Sequence, residues 1–318
     1  MKIYPIKSKI PMRDVLGETL VEIGKINNKI VVVDSDCASV TRALQFKNHY
    51  INRYFNVGVA EQSMMGVAIG LSSCGYIPFT SNLATFTVLR CFEYIRTFIA
   101  YSNLKVIIIG SYSGLSAGPN GPTHFTIEDI SLMRSIPNMK VVSPSDSNSL
   151  KKLIYDAVES YGPIYFRISR NEAETIYDNI SNIKLGKNIK LKEGKDITII
   201  ATGTMTEVAL EASNILQKEN CVKADLIDVH TIKPLEIETI LNSVSKTKKV
   251  ITVEEHSVIG GLGSAVAEIL TEYYPTKLIR IGINDTFTES GDYKDLLDKY
   301  GLTSRNIIVQ AKKLLDIN

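Results

Sequence analysis

A single glutamate, Glu61, stands in an apolar, glycine-rich stretch that spans residues 53–73. A carboxylate in such surroundings is costly unless a specific group pairs with it. No basic residue lies closer to it in sequence than Arg53. The chemistry that suits this position is hydrogen bonding to, or proton sharing with, a bound group. The alternative is a glutamate at a helix start, stabilised by the positive end of the helix dipole, and the residues alone favour neither.

A loop histidine and two arginines are the other candidates for chemistry. His124 follows a Gly-Pro-Thr turn in the loop SYSGLSAGPNGPTHFT, where it could form hydrogen bonds or transfer a proton. Its alternative is a purely structural role. Arg13 opens the first predicted helix and Arg170 follows a strand, so either could hold an anionic group through two hydrogen bonds. The alternative for each arginine is a surface ion pair.

Short apolar runs alternate with amphipathic stretches and would position these residues. Strands are predicted at residues 29–33, 53–57, 76–81, 104–110, 139–142 and 164–168, and helices at 13–27, 62–73, 87–101, 127–135 and 147–160. This alternation predicts a parallel sheet with helices on both faces. Ligands bind outside the carboxyl ends of the strands in such sheets, and most of the candidate residues lie in the loops at those ends.

A second alternating block follows a polar, charge-mixed segment, residues 171–195, which is predicted to be a linker. Its predicted strands are 196–201, 223–229, 249–254 and 277–282, and its predicted helices are 206–218, 235–244, 261–273, 294–300 and 303–315. The sequence therefore predicts an α/β protein of two doubly wound domains, at residues 1–180 and 190–318. In the second domain, Glu254, Glu255 and His256 precede a Gly-Gly-Leu-Gly turn. The turn does not fit G-x-G-x-x-G, and we interpret it as tight packing of a strand against a helix.

Composition excludes several classes of function. The net charge is +2 without a basic run, so neither a nucleic-acid nor a membrane surface is expected. The apolar runs are too short to span a bilayer, and no secretory signal layout is present. The four cysteines are scattered without metal-ligand spacing. They are expected to be reduced thiols of a cytoplasmic protein.

Four segments together resemble the pyrimidine-binding domain of transketolases: FNVGVAEQSMMG, PFTSNLATF, GPNGPTHFTIEDISLMRSIPNM, and SPSDSNSLKKLIYDAV with GPIYFRISRN. The third is typical of thiamine-diphosphate enzymes of the transketolase and 1-deoxyxylulose-5-phosphate synthase type. The sequence from TIIATGTMTEVALEA onward resembles the C-terminal domain of the same family. The resemblance therefore implies a thiamine-pyrimidine-binding domain followed by a smaller C-terminal domain.

The resemblance implies a subunit of a thiamine-diphosphate-dependent transketolase of carbohydrate metabolism, such as the pentose phosphate pathway. The enzyme would transfer a two-carbon ketol unit from a ketose phosphate to an aldose phosphate. No segment resembles the Gly-Asp-Gly…Asn motif that binds diphosphate and Mg²⁺ in full-length members. The expectation is thus a split transketolase, active only with a separately encoded N-terminal subunit that supplies the Mg²⁺ ligands. This chain would form a homodimer within a heterotetramer.

The resemblance also implies roles for residues around the cofactor. Glu61 would hydrogen-bond the ring nitrogen of the aminopyrimidine and favour its imino tautomer. Phe86 would stack on the pyrimidine, with Phe92 as the alternative, and Asp36 would lie beside the cofactor. Around Glu61, small apolar residues would face another subunit: Met64, Met65, Val67 and Ala68.

Further roles concern the substrate. Arg13, Ser39 and Arg170 match positions that hold the sugar phosphate, and His124 matches a histidine that binds a substrate oxygen near the reactive carbon. Two positions depart from the typical pattern, because Asn120 replaces an aspartate that reads a substrate hydroxyl and Tyr112 replaces a histidine. These departures leave the sugar open.

Three alternatives remain at this point. One is a subunit resembling 1-deoxyxylulose-5-phosphate synthase, and another is a subunit resembling a 2-oxoacid dehydrogenase. Arg13 and Arg170 favour a phosphosugar substrate over an oxoacid. The third is a non-catalytic paralogue, which the joint presence of Glu61, Phe86 and His124 argues against.

Overall fold

The computed structural model describes residues 10–317, so the first nine residues of the predicted first domain lie outside the described residues. The N-terminal part contains β1 (Ile30–Asp34), β2 (Tyr54–Asn56), β3 (Ile77–Leu83), β4 (Ile107–Ser111), β5 (Lys140–Val142) and β6 (Ile164–Ile168), with helices α1 (Met12–Ile26), α2 (Ala38–Thr41), α3 (Leu44–His49), α4 (Glu61–Ser73), α5 (Ala84–Tyr94), α6 (Asp129–Ser135) and α7 (Ser147–Glu159). Short 3₁₀ helices span Ile51–Arg53 and Gly118–Asn120, and α5 continues as a π-helix at Ile95–Ala100.

The C-terminal part has the same alternating order. Its elements are β7 (Ile189–Lys192), β8 (Ile197–Ala201), β9 (Ala224–Asp228), β10 (Thr231–Lys233), β11 (Val250–Ser257) and β12 (Leu278–Ile283), with α8 (Met205–Asn220), α9 (Ile237–Thr247), α10 (Leu262–Tyr273), α11 (Tyr293–Lys299) and α12 (Ser304–Leu315). The prediction of two α/β domains built on parallel sheets is confirmed. We call the domains with the seven-stranded and five-stranded sheets the first and second domain.

Both sheets are parallel except for one edge strand each. The first has the order β10-β5-β6-β4-β3-β1-β2, and the second has the order β12-β11-β8-β9-β7. The antiparallel pairs are β10 with β5 and β7 with β9. Every residue of β1, β3, β4 and β6 is buried, as expected of parallel strands covered by helices on both faces.

Helix α7 shows how local sequence produces this packing. Asp146 accepts a hydrogen bond from the backbone N–H of Ser149, and the two residues form a capping box that fixes the start of the helix. The apolar residues that follow recur at helical spacing and are buried against the first sheet: Leu150, Leu153, Ile154 and Ala157. On the opposite face, α4, α5 and α6 pack against the sheet, and this core continues into the second domain.

Two features differ from the sequence predictions. Residues 171–195 were predicted as a linker, but they contain β7, and their apolar residues Ala173, Tyr177, Ile180 and Ile183 are buried in the core of the first domain. The other difference concerns α4. Met64, Met65 and Ala68 are fully buried within this chain, so the expectation that they face another subunit was wrong.

The reason for the second difference is that glycine and serine are interspersed with the apolar residues of α4, so the hydrophobic contrast between its sides is weak. Periodicity therefore does not distinguish its core side from its exposed side. Val67 is half-buried, and the exposed side carries small and polar residues, namely Gln62, Ser63, Gly66, Gly70 and Ser73. No helix among residues 10–317 combines the length and apolar character needed to cross a bilayer.

Candidate active site

The loops and helix starts that follow the first-sheet strands at their carboxyl ends carry the predicted site residues. The exception is Arg13, which lies in the first turn of α1. Asp36 and Ser39 follow β1, Glu61 follows β2, Phe86 follows β3, Asn120 and His124 follow β4, and Arg170 follows β6. Because β2, β1, β3, β4 and β6 are consecutive and parallel in the sheet, these loops share one edge.

Glu61 is the first residue of α4 and is only 6 % exposed. Its Oε1 accepts a hydrogen bond from Nη1 of Arg90 at 2.7 Å. No other hydrogen bond to its carboxylate occurs within the described part of the chain. The buried carboxylate thus has a cationic partner 29 residues away, which the sequence analysis missed.

Phe86 lies between Arg90 and His124. The guanidinium carbon of Arg90 is 4.3 Å from the centroid of the Phe86 ring, within the range of a cation–π contact. The His124 ring lies 5.3 Å from Phe86 in an edge-on arrangement at 72°. A continuous series of contacts therefore joins Glu61, Arg90, Phe86 and His124. Arg90 follows Phe86 by four residues on α5, and that spacing was the available sequence signal.

Phe92, the alternative to Phe86, packs against the core beneath α4, α5 and α6, whereas Phe86 packs against a core that includes residues of the second domain's strands. His124 is half-buried, and its Nδ1 lies 2.9 Å from the Thr123 hydroxyl. Asn120 is exposed at the end of a 3₁₀ turn. Among residues 10–317, no hydrogen-bond partner reaches the Asn120 side chain or His124 Nε2.

Asp36 and Ser39 are both exposed. Asp36 accepts a hydrogen bond from Asn56 at 3.2 Å. The buried carboxylate of this loop is instead Asp34, which accepts from the backbone N–H of Cys37 and from the hydroxyl of Tyr54. Burial raises the pKa of Asp34, against the opposing effect of these hydrogen bonds. Asp34 therefore orders the loop, and Asp36 points its carboxylate toward solvent and Asn56.

Arg13 and Arg170 meet at the ring of Tyr112. Arg13 donates a hydrogen bond from Nη1 to the Tyr112 hydroxyl at 2.5 Å. The guanidinium carbons of Arg13 and Arg170 lie 5.8 and 5.2 Å from the Tyr112 ring centroid. Within residues 10–317 neither guanidinium has a carboxylate within 4 Å. Two cations thus share one aromatic ring without an acidic partner from the described chain.

The same two arginines line a cavity of about 720 Å³. The second domain contributes to the same lining through Thr204, Tyr293 and Lys294. Arg13 Nε is buried, and no hydrogen-bond partner for it is found among the described residues. Ser39 is not among the residues that line this cavity, and its carbonyl accepts from Arg42 instead. The structure therefore brings Arg13, Arg170 and Tyr112 together, apart from Ser39.

The Gly-Gly-Leu-Gly turn of the second domain packs a strand tightly against a helix, as we interpreted it from the sequence. Glu254 accepts the backbone N–H groups of Leu262 and Gly263, at 2.7 and 2.8 Å, at the start of α10. A Cβ on Gly261 would lie 2.0 Å from Glu254 Oε2, so the turn packs too tightly for a side chain. In the described part of the chain, no group of three or more His, Cys, Asp or Glu residues could hold a metal ion.

Comparison with known families decides the relationship. Residues 8–175 match the family described as transketolase, pyrimidine binding domain, and residues 186–307 match transketolase, C-terminal domain. This chain belongs to the transketolase family. The resemblance inferred from the four segments is confirmed.

Relatives of similar length support this assignment of the transketolase chain. It is 42 % identical over 308 residues to a putative transketolase C-terminal section from Methanocaldococcus jannaschii, covering 96 % of this chain and 95 % of that protein. It is 39 % identical to the 6-deoxy-6-sulfo-D-fructose transketolase subunit SqwH from a Clostridium species, covering 96 % and 94 %. A solved structure described as a split gene transketolase, inactive beta4 tetramer, has a TM-score of 0.89 at 42 % identity and covers 97 % of this chain and 99 % of that one.

Proposed function

We propose that this transketolase-family chain is the pyrimidine-binding and C-terminal subunit of a thiamine-diphosphate-dependent transketolase. The enzyme transfers a two-carbon ketol unit from a ketose phosphate to an aldose phosphate. The observation that carries the proposal is the placement of Glu61, a buried carboxylate at a strand–helix junction, in one contact series with Phe86 and His124. Burying a carboxylate there costs stability, and within the described chain Arg90 offers it a single hydrogen bond.

The residues present suit an aminopyrimidine. Glu61 uses Oε1 for Arg90, which leaves Oε2 to accept a hydrogen bond from the cofactor ring. Phe86 provides an aromatic wall. The backbone at Gly58 has φ +76° and no atom within 4 Å of where a Cβ would lie, so the turn before Glu61 is open to a ligand. Asp36 lies on the neighbouring loop after β1.

Thiamine diphosphate, when bound, supplies the nucleophilic carbon and the electron sink. The chain's own residues hold it and manage protons. Glu61 accepts the ring-nitrogen hydrogen bond that selects the tautomer, and Arg90 fixes the orientation of that carboxylate. His124 hydrogen-bonds a substrate oxygen near the reacting carbon, and Asn120 contacts a further substrate hydroxyl as donor or acceptor.

The distal, anionic end of the sugar binds at Arg13 and Arg170. Their guanidinium groups lack an acidic partner in the described chain, and a tetrahedral oxyanion satisfies both of them through paired hydrogen bonds. Lys294 adds a third cation to the cavity wall, which also carries the carboxylates of Glu172, Glu207 and Asp292. Ser39 contributes only if its loop moves toward this cavity. A phosphate is the expected group, and the sulfosugar named for the Clostridium relative makes a sulfonate the second candidate.

The Mg²⁺ and diphosphate ligands come from a separately encoded N-terminal subunit, and two copies of this chain pair within a cytoplasmic heterotetramer. Support comes from relatives described as a C-terminal section and as subunits. Support also comes from the exposed side of α4, where a Cβ added to Gly66 or Gly70 would meet no atom within 4 Å. A second helix can approach such a surface closely.

The test is reconstitution with the N-terminal subunit. Thiamine diphosphate and Mg²⁺ are titrated calorimetrically into this chain alone, into the partner alone and into the mixture. The mixture should bind the cofactor tightly and transfer ketol units from a panel of ketose phosphates. Tight, Mg²⁺-dependent binding or turnover by this chain alone would contradict the proposal.

The second candidate reaction is that of 1-deoxyxylulose-5-phosphate synthase. The enzyme from Halothermothrix orenii is 35 % identical over 98 % of this chain, although the match spans only 49 % of that protein. An oxoacid donor releases CO₂, whereas a ketose donor does not. Measurement of CO₂ from pyruvate in the reconstituted complex therefore separates the two reactions.

A further inference from the structure

Glu255 is a buried carboxylate of the second domain that reaches into the first. It lies on β11 and is 2 % exposed. Its Oε1 accepts the backbone N–H of Leu115 at 2.6 Å. Its Oε2 accepts the hydroxyls of Thr204 at 2.8 Å and Tyr293 at 2.9 Å. Its neighbour Glu254 is buried on the same strand but bonds only within its own domain.

The contact with Leu115 is a close one between the carboxylate and the loop backbone. Gly114 has φ +62°, and a Cβ at that position would lie 2.3 Å from Glu255 Oε1. On the other side, Arg167 of β6 donates to the Glu255 carbonyl at 2.7 Å and pairs with Asp129 at 2.9 Å. Glu255 is therefore held from its backbone as well as from its side chain.

Leu115 belongs to the loop after β4 that carries Tyr112, Asn120 and His124. The base of that loop is closed by a bridge in which the N–H of Gly114 donates to the carbonyl of Thr126 at 3.0 Å. Fixing the backbone at Gly114 and Leu115 thus fixes both limbs of the loop. One limb holds Tyr112, on which Arg13 and Arg170 converge, and the other holds His124.

The remaining donors to Glu255 belong to the substrate cavity. Thr204 and Tyr293 line the same cavity as Arg13 and Arg170. One carboxylate therefore ties the loop of the first domain to the cavity wall of the second. Since three donors meet a single buried carboxylate, each is held more firmly than a hydrogen bond at the surface.

We infer that Glu255 is a positioning residue, through which the C-terminal domain sets the geometry of the loop that binds the substrate. The inference rests on the function proposed above. It gives the second domain a part in substrate binding, because most of the residues that line the cavity and the anchor of the loop both come from it. Glu255 itself touches neither substrate nor cofactor.

The experiment compares Glu255→Ala with Glu254→Ala in the complete complex. Both remove a buried carboxylate from β11, but only the first frees Leu115. Hydrogen exchange should show at least about a tenfold faster exchange of the amides of residues 112–126 in Glu255→Ala and no change there in Glu254→Ala. The KM for the ketose phosphate should rise at least about fivefold with Glu255→Ala, while thiamine diphosphate affinity stays within about twofold.

Glu255→Gln is the second variant, since it keeps the shape and one acceptor oxygen, and it carries the test if Glu255→Ala does not fold. It should show exchange and KM between those of the parent and Glu255→Ala. Unchanged exchange of the loop, or equal changes in the two alanine variants, would overturn the inference. The exchange measurement does not depend on turnover. If the parent complex shows no ketol transfer, the proposed function is rejected. Hydrogen exchange of the loop then still decides whether Glu255 positions it.

Discussion

Arg90 donates a hydrogen bond to Glu61 across 2.7 Å, from one helix to the next. The carboxylate is buried, whereas the arginine side chain is 51 % exposed. The guanidinium of Arg90 therefore stays largely hydrated while it lies beside the buried carboxylate of Glu61. Its own desolvation costs little free energy. Its face also covers Phe86. The pair defines which carboxylate oxygen stays available to a ligand.

Glu61→Gln should fold normally and lose turnover by a factor of at least about 100, as expected for loss of a positioned acid–base group. An amide cannot exchange the proton that a carboxylate shares with a ring nitrogen. The measurement is kcat in the reconstituted complex, with circular dichroism to establish the fold. Glu93→Gln, an exposed change on α5, is the control and should retain activity. Parental kcat in Glu61→Gln would rule out the proton-sharing role.

Arg90→Met should reduce kcat/KM about tenfold, equivalent to ~1.4 kcal/mol of transition-state stabilisation, because Glu61 loses the group that orients it. The free energy of unfolding should fall by about 1–3 kcal/mol, because the buried carboxylate of Glu61 loses its hydrogen-bond donor. Steady-state kinetics and urea unfolding measure the two effects. Arg96→Met, an exposed site beyond α5, is the matched control. Equal kinetics in the two variants would count against an orienting role.

Arg13→Ala and Arg170→Ala should each raise KM for phosphorylated sugars far more than for unphosphorylated ones. Loss of one charge-assisted contact costs roughly 1.5–3 kcal/mol, or about 10- to 150-fold in affinity. The measurement is KM for matched pairs of sugars with and without the phosphate. A sulfonated sugar extends the series and identifies the preferred anion. Equal losses on charged and uncharged sugars would show that the arginines are structural.

The folded chain should lose stability as the pH falls, and replacing His230 should make that loss smaller. His230 is fully buried, and burial lowers its pKa to about 4, against a smaller opposing effect of Asp156. The unfolded histidine takes up a proton from about pH 6.5 downward. Stability conferred by the neutral ring is therefore complete above that pH and is lost as the pH falls toward 4, at up to about 1.4 kcal/mol per pH unit.

The comparison is urea unfolding of the parent and of His230→Gln at several pH values between 7.5 and 4.5. The stability difference between them should shift in favour of the variant as the pH falls. His49→Gln, at an exposed histidine, controls for loss of an imidazole elsewhere. Parallel pH curves for the parent and His230→Gln would contradict the expectation.

Gly66→Arg should disrupt association while leaving the folded chain intact. Gly66 is exposed on α4, no atom lies within 4 Å of a Cβ placed there, and arginine favours helix over glycine. Light scattering after gel filtration should show a smaller assembly than for the parent. Glu211→Arg, on the exposed side of α8, should leave the assembly unchanged. An intact complex in Gly66→Arg would place the subunit contact elsewhere.

The sequence was informative wherever burial follows local pattern. The strand around Val31–Val33 is an unbroken apolar run, and its burial in a parallel sheet follows directly from that. Glu61 stood out for the same reason, since a charge interrupts an apolar pattern. The six strands of the first half were all placed within a few residues of their observed positions.

The remainder depends on contacts between distant parts of the chain. A search of the sequence near Glu61 does not find Arg90, because the two side chains come into contact only when α5 packs beside α4. Strands β7 and β10 are short and carry lysines, so only their pairing with β9 and β5 makes them strands. The link from Glu255 to Leu115 spans 140 residues, and no spacing in the sequence signals it.

Strand β10 belongs by sequence to the second domain, yet it forms the edge of the first sheet, where Thr231 pairs with Val142 of β5. An exchange of C-terminal domains between relatives would therefore also exchange a strand of the neighbouring sheet. A chimera joined between the domains succeeds only if the incoming β10 fits the resident β5. Recombination, natural or engineered, must therefore transfer the two domains of this chain together.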